Sequence, residues 1–366
     1  MVKNKSDLFI VCGERSGDVH GSEIIKHLLK KKSSLKIHCW GGDEMKKSGG
    51  IILEKYTSYN IMGFKEVIMN IRLLYNKLLK CKRQILDLNP KLILLIDFPG
   101  FNLRIAKFAK KNGFKVDYYI PPKTWAWNPG RITSLKKYVD NIYSILPFEK
   151  KFYKKYSCDI KYVGNPLVKK IDSYKYKKIF NNDKEWVSLL PGSRISELKY
   201  SLPIFISLAK KLDNINFLVC GVENISEKYY DEINKLNNTK LVYNDTYNAV
   251  KFSNYAIVMS GTASLEVALI NTPQIVVYKA STISFILARI LLNVDYVSLV
   301  NLILNRDSVK ELLQYKFTVS NIIQHIDQLR KKRNKDNLLK EYKRLKYKIG
   351  NKDSSLEVSN LIGARL

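Results

Sequence analysis

Four places in this sequence carry residues whose type and setting could do chemistry. Asp97 closes an unbroken apolar run, Leu92-Ile93-Leu94-Leu95-Ile96, and Phe98-Pro99-Gly100-Phe101-Asn102 follows it. A carboxylate at the carboxyl end of a buried parallel strand sits where α/β proteins bind ligands. It either caps the next helix or faces a ligand; Asn102 and Gly113 already supply a cap and a stop for a helix at 103–112, which favours the ligand. The second place is Ser260-Gly261-Thr262, between an apolar strand at 255–259 and a helix running to about residue 270. Small residues at a helix start leave backbone N–H groups free, and with the helix dipole these attract a phosphate. An ordinary capped strand–turn–helix is the plain alternative. Glu266, in the first turns of that helix, is placed to accept hydrogen bonds from sugar hydroxyls. Arg194, in the turn Pro191-Gly192-Ser193-Arg194, is a lone cation. The set suits transfer from a nucleotide sugar. Arg194 and the helix N-terminus would stabilise a departing diphosphate. Asp97 would take the proton of an attacking hydroxyl across a cleft.

Several other chemistries lack their residues. There is no GxxxxGK[ST], no HExxH and no GxSxG, the four histidines do not cluster, and no Asp-x-Asp pair suggests a diphosphate-bound metal. No metal and no cofactor is expected. The five cysteines are scattered without a CxxC, which points to a reducing compartment rather than a zinc ribbon or a disulfide framework. A net charge of +30 suggests an anionic partner, or else the lysine-rich usage of an AT-rich genome. No apolar leader precedes the first strand. No stretch is a charge-free membrane span; the nearest, 283–304, is broken by Arg289 and Asp295.

The elements that must position these residues alternate between strand and helix. Strands are expected at 8–12, 37–40, 92–96, 116–120 and 142–146, then again at 186–190, 216–220, 241–243, 255–259 and 274–278. A ligand-facing loop or a tight βα turn spans 13–21, with a helix at 22–31. Ser201 and Pro203 are expected to start a second helical segment after the Arg194 turn. Trp125 and Trp127, in a proline-rich loop, form either an aromatic wall or loop packing. Apolar residues at Phe64, Val67, Ile68, Ile71, Leu74, Tyr75 and Leu78 have helical spacing, and basic residues fall largely off that stripe. Such a helix is either core or an amphipathic face lying on an anionic bilayer, with Phe64, Ile68, Ile71 and Leu74 as the membrane contacts. Two runs of strand and helix describe an α/β protein of two facing Rossmann-like domains. The expected division is 1–168, a linker at 169–185, a second domain at 186–320, and a basic helical tail at 321–366.

The motifs, taken in order, resemble those of the lipid-A-disaccharide synthase family, glycosyltransferases of the GT-B architecture. The resemblance runs through Gly13-Glu14-Arg15-Ser16-Gly17-Asp18, Met62-Gly63-Phe64-Lys65-Glu66-Val67, Ile96 to Asn102, Trp125-Ala126-Trp127 and Leu146-Pro147-Phe148-Glu149. It continues through Leu190 to Arg194, Ser260-Gly261-Thr262-Ala263, Glu266, Tyr296-Val297-Ser298-Leu299 and Asn301-Leu302. It implies inverting transfer of a diacylated glucosamine from UDP to the primary hydroxyl of a diacylated glucosamine 1-phosphate. By matching position Asp97 takes the catalytic-carboxylate role. Arg194, Ser193, Ser260, Gly261, Thr262, Glu266 and Asn301, with Ser16 and Gly17 of the first loop, take substrate-binding roles. The chain departs from the family pattern at Gly100, where a second Asp is usual, at Asn165, where His is common, and at Pro121, where Ser is usual. The resemblance makes the first domain the acceptor domain and the second the UDP-sugar domain. The expected partners are the two lipid sugars and the inner face of the bacterial inner membrane. A homodimer is allowed and no nucleic acid is expected. The rivals are another UDP-sugar GT-B enzyme, such as an epimerase, and a basic nucleic-acid-binding protein.

Overall fold

A computed structural model of the chain describes residues 6–59, 70–125, 130–181, 184–223, 225–281 and 295–366. Phe64, Ile68, the motif at 62–67 and Trp127 lie outside the described residues. The chain divides into two compact units, Met1–Pro166 with Asn351–Leu366, and Leu167–Gly350.

The first unit is built on a sheet of seven parallel strands in the order β3-β2-β1-β4-β5-β6-β7. The strands are β1 (Leu8–Cys12), β2 (Ile37–Gly41), β3 (Ile51–Lys55), β4 (Leu92–Ile96), β5 (Val116–Tyr119), β6 (Asn141–Ser144) and β7 (Lys161–Tyr162). Every residue of β1 and β4 is buried, as continuous apolar runs covered on both faces require. Leu8, Ile10, Leu92 and Leu94 pack with Ile24, Ile25 and Leu28 of α1 (Arg15–Lys31) and with Val358 and Ile362 of α15 (Ser354–Gly363). The alternate residues Phe9, Val11, Ile93 and Leu95 pack with Leu78, Cys81 and Ile85 of α3 (Ile71–Leu88) and with Phe101, Ile105 and Ala109 of α4 (Pro99–Lys111). The period-2 alternation of a strand thus feeds two helical layers.

The second unit has six parallel strands in the order β10-β9-β8-β11-β12-β13. They are β8 (Glu185–Leu190), β9 (Ile215–Gly221), β10 (Thr239–Tyr243), β11 (Tyr255–Met259), β12 (Gln274–Tyr278) and β13 (Lys310–Leu313). In both sheets the chain runs outward one way, then returns to the other side of its first strand. The switch falls between β1 and β4 and between β8 and β11, and ligands of open α/β sheets bind at the carboxyl ends of strands there. That rule singles out the turns after Cys12, Ile96, Leu190 and Met259.

Two local expectations are corrected. Helix α1 starts at Arg15, not near Ser22, so Ser16 and Gly17 lie in its first turn. The glycines serve packing: a Cβ on Gly17 would lie 2.7 Å from Cys12 Cβ, and one on Gly21 2.1 Å from Met45 Cε. The helix can lie this close to β1 only without those side chains. Pro203 does not start a new segment but sits inside one helix, α8 (Ile195–Lys211). The carbonyl that a proline leaves unpaired four residues back belongs to Lys199, which is exposed to water. Residues 321–366 are largely helical. Most of α13 (Val319–Arg330) and all of α14 (Lys332–Ile349) are drawn from them in the second unit, while α15 joins the first. Among the described residues no helix is long and apolar enough to cross a membrane. All five cysteines are buried free thiols.

Candidate active site

Asp97 follows directly on β4, at the switch point of the first sheet. Asp97 and Phe98 both adopt left-handed backbone, φ +47° and +49°, each at a cost of about 1–3 kcal/mol that surrounding structure must offset. The offset is visible. The Asp97 N–H donates to Tyr119 O at 3.0 Å, and its carbonyl accepts from Asn102 Nδ2 at 2.8 Å and Tyr118 Oη at 2.5 Å. The Phe98 ring stacks on Phe101 and presses on Gly13, where a Cβ would lie 2.2 Å from Phe98 Cγ. The carboxyl group is therefore aimed by a rigid turn. Burial, helped by the Glu14 carboxylate and opposed by Lys123, pushes its pKa up to about 6. A carboxylate with a pKa just below neutrality is charged at neutral pH, yet basic enough to take a proton in a transition state.

Beside this turn lies an apolar cavity of about 330 Å³, lined by Ile71, Leu74, Tyr75 and Leu78 of α3 and by Phe98, Gly100, Phe101 and Arg104. Gly100 has nothing within 4 Å of where a Cβ would stand. A larger polar groove, about 720 Å³, is lined by Gln274, Ile275 and Lys310, at the amino ends of β12 and β13. That is the wrong end of a parallel sheet for a ligand, so we assign the chemistry to the switch points.

The aromatic loop after β5 is packing where it is described. Trp125 is buried, and its Nε1 donates to Glu149 Oε1 at 2.8 Å. Ser144 Oγ donates to the other oxygen of Glu149, whose pKa burial pushes up to about 7.

In the second unit, Ser193 and Arg194 are exposed at the start of α8. Glu197 Oε2 accepts from their backbone N–H groups at 2.7 and 3.3 Å, and Gly192 holds the turn at φ +114°. The Arg194 guanidinium is thus presented by a turn closed upon itself. Ser260 leaves β11 with its Oγ donating to Val297 O at 3.1 Å. No side chain caps α11 (Thr262–Ile270), and Gly261 stands in open space. Its first-turn N–H groups have no intrahelical partner. Glu266 accepts from Tyr247 Oη at 2.5 Å, a partner that nothing in the local sequence announced.

Asn301 is placed differently from its expected donor-site role. It is 0% exposed; its Nδ2 donates to Val309 O and Glu311 Oε1, and its Oδ1 accepts from the N–H groups of Ser308 and Val309. The amide has no hydrogen-bonding capacity left for a ligand. It ties α12 (Leu299–Leu304) to β13, next to the Val297 carbonyl that holds Ser260. Ser16 is exposed, whereas Gly17 is buried against β1. Among the described residues no group of three or more His, Cys, Asp or Glu is placed to hold a metal.

A family model for lipid-A-disaccharide synthetase matches residues 8–361. The chain belongs to the lipid-A-disaccharide synthase family. It is 33% identical over 378 residues to lipid-A-disaccharide synthase 1 of Legionella pneumophila, covering 99% of this chain and 98% of the relative. It is 35% identical over 324 residues to the synthase of Syntrophus aciditrophicus, covering 85% of each. Among solved structures, the kitacinnamycin glycotransferase matches with a TM-score of 0.69 at 10% identity over 99% of both chains. UDP-GlcNAc 2-epimerase from Neisseria meningitidis bound to UDP-GlcNAc matches at 0.65 and 13%, over 97% of this chain and 99% of that one. These likenesses show the GT-B fold. As a lipid-A-disaccharide synthase family member the protein is a glycosyltransferase of lipid A synthesis. The departures from the family pattern fall at an open position (Gly100), at a buried Pro121, and at a buried Asn165 that donates to Ile145 O.

Proposed function

We propose that this protein transfers a diacylated glucosamine from UDP to the primary hydroxyl of a diacylated glucosamine 1-phosphate, with inversion at the anomeric carbon. The observation that carries this reading is Asp97, a carboxyl raised to about 6 on a doubly left-handed turn at the switch point of the first sheet. Asp97 takes the hydroxyl proton as that oxygen bonds to the anomeric carbon. The bond from that carbon to the UDP oxygen breaks, and its electron pair leaves on the diphosphate. Arg194 and the N–H groups of Thr262 and its neighbours in α11 stabilise that charge. Glu266, steadied by Tyr247, accepts from the ribose hydroxyls. Ser193, Ser260 and Gly261 shape the donor side, and Ser16, exposed in the first turn of α1, contacts substrate at the first switch point, while Gly17 lets the helix lie close to β1.

The cavity beside Asp97 supports an acylated acceptor. At ~30 Å³ for a water-sized group it has room for roughly ten methylenes of one chain. On α3, Ile71 is 66% exposed, and Tyr75, Leu79 and Leu86 continue its stripe, flanked by Arg72, Lys82 and Arg83. An exposed apolar stripe beside cations supports contact with the anionic inner face of the bacterial inner membrane. Leu74 packs against the core and is not part of that face.

The purified protein, given both lipid sugars, is expected to yield a disaccharide 1-phosphate and equimolar UDP by mass spectrometry, and to leave unacylated UDP-GlcNAc unused. Absence of the disaccharide, or equal use of UDP-GlcNAc, would overturn the reading.

A further inference from the structure

We propose that Lys123 binds the phosphate of the acceptor and so selects a phosphorylated sugar over a neutral one. The inference rests on the reading above, in which the acceptor attacks through a hydroxyl held at Asp97.

Residues 121–125 leave β5 and run beside the end of β4. Ile96 is in register with Tyr119, and the Asp97 N–H bonds to Tyr119 O. Pro121, Pro122, Thr124 and Trp125 are all buried. The Pro122 carbonyl accepts from Thr124 N at 2.7 Å and from Tyr153 Oη at 3.0 Å, and Trp125 is locked by Glu149. Lys123 is the one exposed residue of these five. Among the described residues its ammonium makes no hydrogen bond or ion pair. A buried, bonded loop thus presents a single cation beside the base.

Lys123 lies in the chain between Tyr119, bonded to the Asp97 backbone, and Trp125, bonded to Glu149, and its charge favours the ionised form of both carboxyl groups, while Glu14 acts against it at Asp97. An anionic acceptor brought to this corner meets like charge, which disfavours binding unless a cation offsets it. A lysine serves a phosphate as a point charge. Arg104, the cation lining the cavity, already donates to the Gly100 carbonyl. Of these two cations, the one left to move toward a ligand is the Lys123 ammonium.

The test measures kcat and KM at saturating donor for acylated glucosamine with and without its 1-phosphate. Wild type, Lys123→Ala and Lys123→Arg are compared. Wild type is expected to favour the phosphorylated acceptor about tenfold or more in kcat/KM. At a pH well above the acidic limb, where Asp97 is ionised with or without Lys123, Lys123→Ala should lose that preference through a rise of about tenfold in KM for the phosphorylated acceptor alone, equivalent to about 1.4 kcal/mol, with kcat held; Lys123→Arg should restore it. The proposal is overturned if Lys123→Ala keeps the preference. It is equally overturned if both acceptors lose rate together while the acidic limb of the pH profile moves, because Lys123 would then act only on Asp97. A wild type that turns over neither acceptor would overturn the transferase reading itself, and this inference with it.

Discussion

Replacing Asp97 by Asn keeps the side-chain shape and removes the base, and the structure sets the size of two opposite effects. General-base catalysis contributes about 10²–10⁴-fold, or roughly 3–5 kcal/mol of barrier, so most turnover should go. The wild-type profile of rate against pH should fall on its acidic side near 6, where burial has moved the carboxyl, and this limb should be missing from the residual activity of the variant. Stability should move the other way. The folded pKa of about 6 lies above the ordinary aspartate value of 3.8, so the folded state holds its proton more tightly. The stability this gives is fully present below the unfolded pKa and is lost as pH rises through the folded one. Some two pKa units correspond to at most about 3 kcal/mol. Asn carries no charge and escapes that loss, so the variant should melt above wild type at about pH 8 and close to it at about pH 4. Initial rates across the pH range, with thermal melts at the two ends, measure both effects. Turnover within about threefold of wild type would refute the base role. A melting difference that ignores pH would refute the desolvation argument.

Three further outcomes are expected. Glu266→Ala should weaken UDP binding about tenfold or more by calorimetry, since hydrogen bonds to a charged group are worth about 1.5–3 kcal/mol; unchanged affinity would remove Glu266 from the donor site. Ile71→Ser with Leu79→Ser should release the protein from anionic vesicles in a flotation assay with little change in melting temperature, while Leu78→Ser, in the core, should cost about 2 kcal/mol or more of stability. If the Ile71/Leu79 double variant stays bound, the α3 face is not the membrane contact. Asn301→Ala should strand the N–H of Val309 at about 1–3 kcal/mol, while Ser308 keeps its bond to the Arg306 carbonyl, lowering the melting temperature but leaving UDP affinity in the folded protein intact; a selective loss of UDP binding would return Asn301 to the donor site.

How legible the molecule is depends on what surrounds each piece. β1, β4 and β11 are continuous apolar runs because both of their faces are covered, and their bounds can be read off the chain. β3, β7 and β13 sit at sheet edges, where polar residues such as Glu54, Lys161 and Lys310 are tolerated, and their apolar runs are three residues or fewer. Asp97 stands out because it ends such a run. The groups that aim it do not: Gly13 comes from another strand's loop, and Tyr118 from the neighbouring strand. Tyr247 holds Glu266 from 19 positions away in the chain, and local sequence carries no trace of that pairing. Asn301 shows the opposite case, a motif residue whose position in a list of motifs says nothing about whether its amide points at a ligand or at its own backbone.

The return of α15 to the first unit has a consequence for how the protein is made. Asp117 is 0% exposed, and its carboxylate bonds to Asn141 Nδ2, Tyr143 Oη and the Arg365 guanidinium, while Tyr119 Oη bonds to Ser354 Oγ. The first unit therefore lacks a helix, and Asp117 its counter-charge, until the ribosome has translated the whole of the second. A nascent chain halted after Pro166 holds a sheet with one helical layer incomplete, so the half that begins synthesis first is the half that finishes folding last.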